Sequence, residues 1–146
     1  MTSIKKMDWD PAFSVDIAEI DACQKKMFDL FNELVELKNA QADAKDCINL
    51  ISGLNEFSRL YFGKEERYLK KKGYPDFGKH GRAHRQFTKR FISLRRELTE
   101  DIANLSDEII SELRDWYVDH IRQMDQEYVP FVRTQNYIEK ANLPRR

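Results

Sequence analysis

Residues 76–98 read DFGKHGRAHRQFTKRFISLRREL, and this stretch decides the fold. Phe77, His80, His84, Phe87, Phe91, Leu94 and Leu98 recur every three or four residues, the period of one face of an α-helix. Asp76 stands where a helix N-cap belongs. Just before it, Gly73-Tyr74-Pro75 ends an earlier helix, because glycine suits the C-terminal cap and proline cannot continue the ladder. A stripe that mixes aromatics with two histidines four residues apart must be buried against other elements.

Those elements lie on either side. Upstream, Ile17, Ile20, Met27, Phe28, Phe31, Leu34, Val35 and Leu37 form one stripe. After the polar stretch Asn39–Asp46, a second stripe runs from Cys47 and Ile48 through Leu54, Phe57, Leu60 and Tyr61 to Leu69. Downstream, Thr99–Leu105 is a break, and Ser106 followed by Asp107 and Glu108 opens a fourth helix by its cap and its acidic first turn. That helix carries Ile109, Ile110, Leu113, Trp116, Tyr117, His120, Met124 and Tyr128, and Pro130 is read as its end. The spans are roughly 17–38, 45–72, 76–98 and 106–129, within a single domain covering 1–146. The fold class is all-α, an antiparallel up-down-up-down four-helix bundle with an N-terminal extended segment.

Composition agrees and excludes several rivals. The chain has 146 residues, 41% of them hydrophobic and 12% aromatic, enough for one core and too much for disorder. Five glycines and four prolines are too few for the turns of an all-β protein. Lys+Arg and Asp+Glu both number 25, a balance without the basic excess of a nucleic-acid protein. The local runs Lys70–Lys72 and Lys89, Arg90, Arg95, Arg96 read as solvated helix faces. No stretch approaches the ~20 apolar residues of a membrane span. Met1–Phe13 has no apolar signal core, so the expected compartment is the cytoplasm.

Folding the helices about their breaks stacks polar residues at one height. Gln24 and Tyr61 are equidistant from the first break. Tyr61 with His84, and Glu65 with His80, are equidistant from Gly73. His84 with His120, and His80 with Asp125, straddle the third break equally. The same construction separates Cys23 from Cys47 by ~22 Å, too far for a disulfide, so both are read as free thiols.

All three histidines of the chain therefore share one layer with two carboxylates. His80, His84 and His120 supply half of an octahedral ligand set, and Glu65 and Asp125 can bridge metal ions. A histidine pair at this spacing is commonly a surface accident or a satisfied core pair. Here the pair lies on an apolar stripe and every other histidine joins it, which favours a metal site. One spacing does not fit: five residues separate His120 from Asp125, ~140° around a regular helix. Both can face inward only if a π-helical turn lies between them.

At this point the chain resembles the hemerythrin family, and bacterial hemerythrins in particular. The resemblance is carried by Trp9 with Phe13-Ser14-Val15-Asp16-Ile17 and Ile20-Asp21, and by Lys25-Lys26-Met27-Phe28-Asp29-Leu30. It continues through Phe62-Gly63-Lys64-Glu65-Glu66, Gly73-Tyr74-Pro75, His80-x-x-x-His84, and Trp116, His120-Ile121, Asp125 and Tyr128. It implies a bundle around a non-haem di-iron centre that binds O2 reversibly, with five histidine ligands and bridging Glu and Asp. His80, His84 and His120 match the ligands of one iron, and Glu65 and Asp125 match the bridges.

The other iron is where the chain departs. The family's two terminal histidines on that iron, the one that binds O2, correspond to Gln24 and Tyr61. Tyr61 can bind as a phenolate and Gln24 through its amide oxygen. An all-oxygen pocket suits oxidised iron or manganese. The cofactor is expected to be iron, as the di-iron pair the resemblance implies, with a single iron or a mixed iron–manganese pair as the alternatives. The alternatives are a Tyr61 phenol hydrogen-bonded to Glu65 and a satisfied Gln24 amide. Phe28, Phe62, Trp116, Tyr117, Ile121 and Met124 are expected to line the site, and Glu66 to be exposed because Glu65 takes the inward direction.

The resulting expectation is a non-haem iron-binding protein with an altered di-metal site, one firm position at His80, His84 and His120 bridged toward a second. It is linked to O2 or redox chemistry, in sensing or iron storage rather than simple O2 carriage. Its partner is O2 or a small oxidant, with no nucleic acid and no membrane. Two rivals stand beside it: an oxidase- or peroxidase-like di-metal enzyme, and a metal-poor interaction module.

Overall fold

The computed structural model describes residues 4–141. Its α-helices are α1 (Ala18–Asn39), α2 (Ala44–Lys72), α3 (Phe77–Glu100), α4 (Asp107–His120) and α5 (Gln126–Lys140), with a π-helical turn at Ile121–Asp125 joining the last two. α4, the turn and α5 together form the fourth arm of a four-helix bundle. α2 packs between α1 and α3, α1 also meets α4, and α3 meets α4 where Phe87 stacks on Trp116.

The ends form for local reasons. Gly73 is left-handed at φ 81°, and the Tyr74 amide donates back to the Leu69 carbonyl at 2.9 Å, satisfying a carbonyl the helix leaves open. Ser106 caps α4 by accepting from the Ile109 amide. Asp76 occupies the N-cap position of α3, but its side chain makes no capping bond.

The stripes meet in one core. Met27, Phe31 and Leu34 of α1, Ile51 and Leu54 of α2, Phe87, Phe91 and Leu94 of α3, and Ile110 and Leu113 of α4 are all buried. Each such side chain contributes about 1.5–3 kcal/mol by leaving water, which makes this layer the main source of stability. Leu60 falls on the periodic pattern but is 63% exposed, since neighbouring Tyr61 takes the inward direction.

Pro130 does not end the fourth arm. α5 runs through it to Lys140, with Tyr128, Val129 and Val132 buried and Lys72 reaching across to Glu139 at 2.7 Å. Proline's φ is compatible with a helix, and the single lost backbone bond is outweighed by that packing. Residues 142–146 of the tail lie outside the described residues.

The N-terminal arm is extended apart from a short 3-10 turn at Pro11–Phe13, which Asp10 caps. Asp21 accepts from Ser14 Oγ and the Val15 amide, fastening the arm to α1. Cys23 and Cys47 are free and buried, and burial pushes both thiols above their ordinary pKa. Among the described residues no helix is long and apolar enough to cross a membrane.

Candidate metal centre

α2 supplies Glu65, α3 supplies His80 and His84, and α4 supplies His120 at its last residue. One ligand-capable atom from each lies within 4.8 Å of the others, and all four side chains are buried. Asp125 completes the layer: its Oδ1 is 2.8 Å from His80 Nε2 and 3.3 Å from His120 Nε2. It can do so because the π turn spans His120 to Asp125, holding Ile121 and Asp125 both inward. The turn required by the five-residue spacing is therefore present.

The protonation of this group decides what it can hold. His84 Nδ1 lies 2.9 Å from Glu66 Oε2, so its proton sits on that side and Nε2 presents a lone pair inward. His84 Nε2 and His120 Nε2 face each other at 3.1 Å, a distance that needs a proton or a cation between two lone pairs. Glu65 Oε1 is 3.0 Å from His80 Nε2 and 3.1 Å from His84 Nε2, yet like Asp125 Oδ2 it is buried without a hydrogen bond. Orphaned carboxylate oxygens cost about 1–3 kcal/mol or more each. A divalent cation would satisfy them and the facing imidazoles together, so the donor set fits a metal.

Without metal, protons take that place. Burial alone would lower the His80 pKa, but Asp125 and Glu65 outweigh it and raise it to about 10. Burial would likewise raise Glu65, but His80 and His84 outweigh it and hold the carboxyl well below its ordinary range. His84 is raised for the same kind of reason, Glu65 and Glu66 overcoming its desolvation. The folded pKa of His80 lies above its ordinary 6.5, so its stabilising contribution is complete below pH 6.5 and lost as pH rises through about 10. Denaturation midpoints of the metal-free protein should therefore fall between pH 6.5 and 10, more steeply than in His80→Gln. Equal slopes for the two proteins would contradict this assignment.

Gln24 and Tyr61 are also fully buried in the layer, but they are bonded elsewhere. The Trp9 indole donates to Gln24 Oε1 at 2.9 Å, and Gln24 Nε2 has no partner. The Tyr61 hydroxyl pairs with the Tyr117 hydroxyl at 3.0 Å rather than with Glu65. Glu65 instead receives the Tyr128 hydroxyl on Oε2 at 2.9 Å. Burial drives the Tyr61 phenol well above its ordinary pKa, with Tyr117, Asp125 and Glu65 adding to the effect.

Of the lining residues, Phe62 stacks on His84 with centroids 3.9 Å apart, and Trp116 stacks on His120 at 5.0 Å. Phe28 packs on Phe13 and Tyr117, Ile121 is buried, and Met124 is half-buried. Glu66 is not free in solvent as the sequence suggested; it is half-buried and holds His84. It reaches there across Gly81, where a Cβ would fall 2.8 Å from Glu66 Oε1. A glycine mid-helix costs about 1 kcal/mol relative to alanine, and that cost was the signal of a close approach.

The comparisons with known proteins follow the same residues. The family model "Hemerythrin HHE cation binding domain" matches residues 15–132. A bacteriohemerythrin of Clostridium acetobutylicum is 30% identical over 125 residues, covering 83% of this chain and 97% of that one. A bacteriohemerythrin of Methylococcus capsulatus is 27% identical, covering 85% and 95%. A crystal structure of a hemerythrin point mutant superposes with a TM-score of 0.79 at 26% identity, covering 87% of this chain and 97% of that one. With the family model matched over most of its length and the buried His/Glu cluster in place, the chain belongs to the hemerythrin HHE cation-binding family.

Proposed function

We propose that this protein is a non-haem iron protein that holds one ion firmly, and that it serves in O2- or redox-linked sensing or iron storage rather than reversible O2 carriage. His80, His84 and His120 would be its nitrogen ligands and Glu65 and Asp125 its carboxylates. Bound iron would supply redox chemistry toward O2 or a small oxidant. The chain's own residues set the terms: Glu66 orients His84, Tyr128 holds Glu65, and Phe62 and Trp116 shield two imidazoles from water.

One observation carries the reading. The two side chains at the second position are committed to neighbours, Gln24 to Trp9 and Tyr61 to Tyr117. To bind a second ion, Tyr61 would have to lose a proton that burial holds tightly. An imidazole, by contrast, has a lone pair available at neutral pH without losing a proton.

Metal analysis of untagged protein tests this. One iron per chain, with no phenolate-to-iron absorption band, is the expected result. Two irons with a band that Tyr61→Phe removes would overturn the single-ion reading. No bound metal would overturn the iron function itself.

A further inference from the structure

A surface cleft of about 340 Å³ opens between α2 and α3 on the outer side of His84. α2 presents Arg59, Phe62 and Glu66 to it, at a spacing of three and four residues; α3 presents His84, Arg85 and Lys89, at one and four. Its floor is apolar, made by the side-chain stems of Arg59, Arg85, Thr88 and Lys89 around an edge of Phe62, which is 2% exposed and whose face stacks on His84. Gly63 lies between Phe62 and Glu66 on α2, with the Arg67 guanidinium over the space its Cβ would take.

The charges around this cleft are unbalanced. Arg59, Arg85 and Lys89 are exposed, and among the described residues none of them is in an ion pair. The contrast is with Arg90, one residue further on, which lies near both Glu97 and Glu112. The only carboxylate in the cleft, Glu66, is already bonded to His84 Nδ1. The cleft therefore carries three cations and one carboxylate, an excess of two positive charges around an apolar floor. An inorganic anion would satisfy the charge and leave the floor wet; an apolar molecule would do the reverse.

We propose that this cleft binds a small organic carboxylate with an apolar body, its carboxylate among Arg59, Arg85 and Lys89 and its body on the apolar floor between them. The volume lies in the range of sites that enclose small molecules, and guanidinium forks suit a carboxylate. The occupant would touch Phe62 and lie beside Glu66, the two side chains in direct contact with the outer side of His84. The cleft thus gives the metal layer an input from solvent that avoids the metal itself. This goes beyond the iron reading and does not depend on it, because every group named is present in the metal-free chain.

Octanoate is the probe, titrated calorimetrically into the full chain with and without iron. Acetate and sulfate supply charge without the body, and octanol supplies the body without charge. Saturable one-to-one octanoate binding is expected, at least about ten-fold tighter than any of the three. Arg85→Glu with Lys89→Glu should weaken it by about ten-fold or more, while Lys70→Glu with Lys71→Glu leaves it unchanged, circular dichroism confirming the fold of both. In the wild type, octanoate should shift the His84 ring resonances before those of His120. Binding only to the iron-loaded form, equal affinity for sulfate, an unaffected Arg85/Lys89 variant, or no saturation would each overturn the proposal.

Discussion

A chain carrying both Gln24→His and Tyr61→His is expected to hold two iron ions where the natural sequence is proposed to hold one. The double change replaces an amide and a high-pKa phenol with two neutral imidazoles in the same layer. Asp125 Oδ2, buried and without a partner, is then available to a second ion. The cost falls on the metal-free protein. Trp9 loses the acceptor of its indole proton and Tyr117 loses its hydroxyl partner, about 1–3 kcal/mol for each stranded group. So the metal-free variant should melt below the wild type, and iron should restore more than the difference. Iron analysis and paired melting curves read both effects. If the variant still binds a single ion, the second position is closed by something other than these two side chains.

The other large effect is expected at Asp125. It is fully buried, and its Oδ1 serves His80 and lies near His120. Asp125→Ala leaves the His80 ring facing Glu65 alone and removes one of the two proposed carboxylate ligands. Breaking a buried charged pair in this way costs the metal-free fold about 3–5 kcal/mol. Separately, loss of a direct ligand should lower iron affinity by more than the roughly 10- to 100-fold that loss of an outer-shell partner costs. Asp125→Asn keeps the shape and removes the charge, so it should retain the fold but still lose most of its iron. Competition against a chelator of known affinity measures the change. Retention of iron within about three-fold of wild type by Asp125→Ala would remove Asp125 from the ligand set.

The sequence made the inward-facing part of this site legible. His80, His84, His120, Glu65 and Asp125 could be placed together because four stripes and three breaks leave few ways to align antiparallel helices. The π turn was readable because five residues separate two groups that the chemistry wants on one side. What stayed hidden depends on sideways reach. Glu66 points about 100° from Glu65 on an ideal helix, and it reaches His84 by passing close over the bare backbone of Gly81. Tyr61 was placed correctly in height, but its hydroxyl partner was not readable: Tyr117 across the bundle takes it, and Tyr128, beyond the π turn, takes the Glu65 oxygen. Trp9 was legible only as part of a family block; its bond to Gln24 requires the arm to fold back onto α1. The run through Pro130 was misread because a helix can tolerate one missing bond when its far side is buried.

The π turn at Ile121–Asp125 also divides the fourth arm into two frames. A π turn is one residue more than an α-helix needs for the same advance, in effect a single-residue insertion that the helix has absorbed instead of expelling as a loop. Upstream, Ile110, Leu113, Tyr117 and His120 keep the inward face in one phase. Downstream, Asp125, Tyr128 and Val132 keep it in another, offset by that residue. In an unbroken helix the same insertion would turn one of the two stripes toward solvent. Here the phase slip falls between the last histidine and the carboxylate, so the arm faces the core on both sides of it and gives two inward groups to a single site.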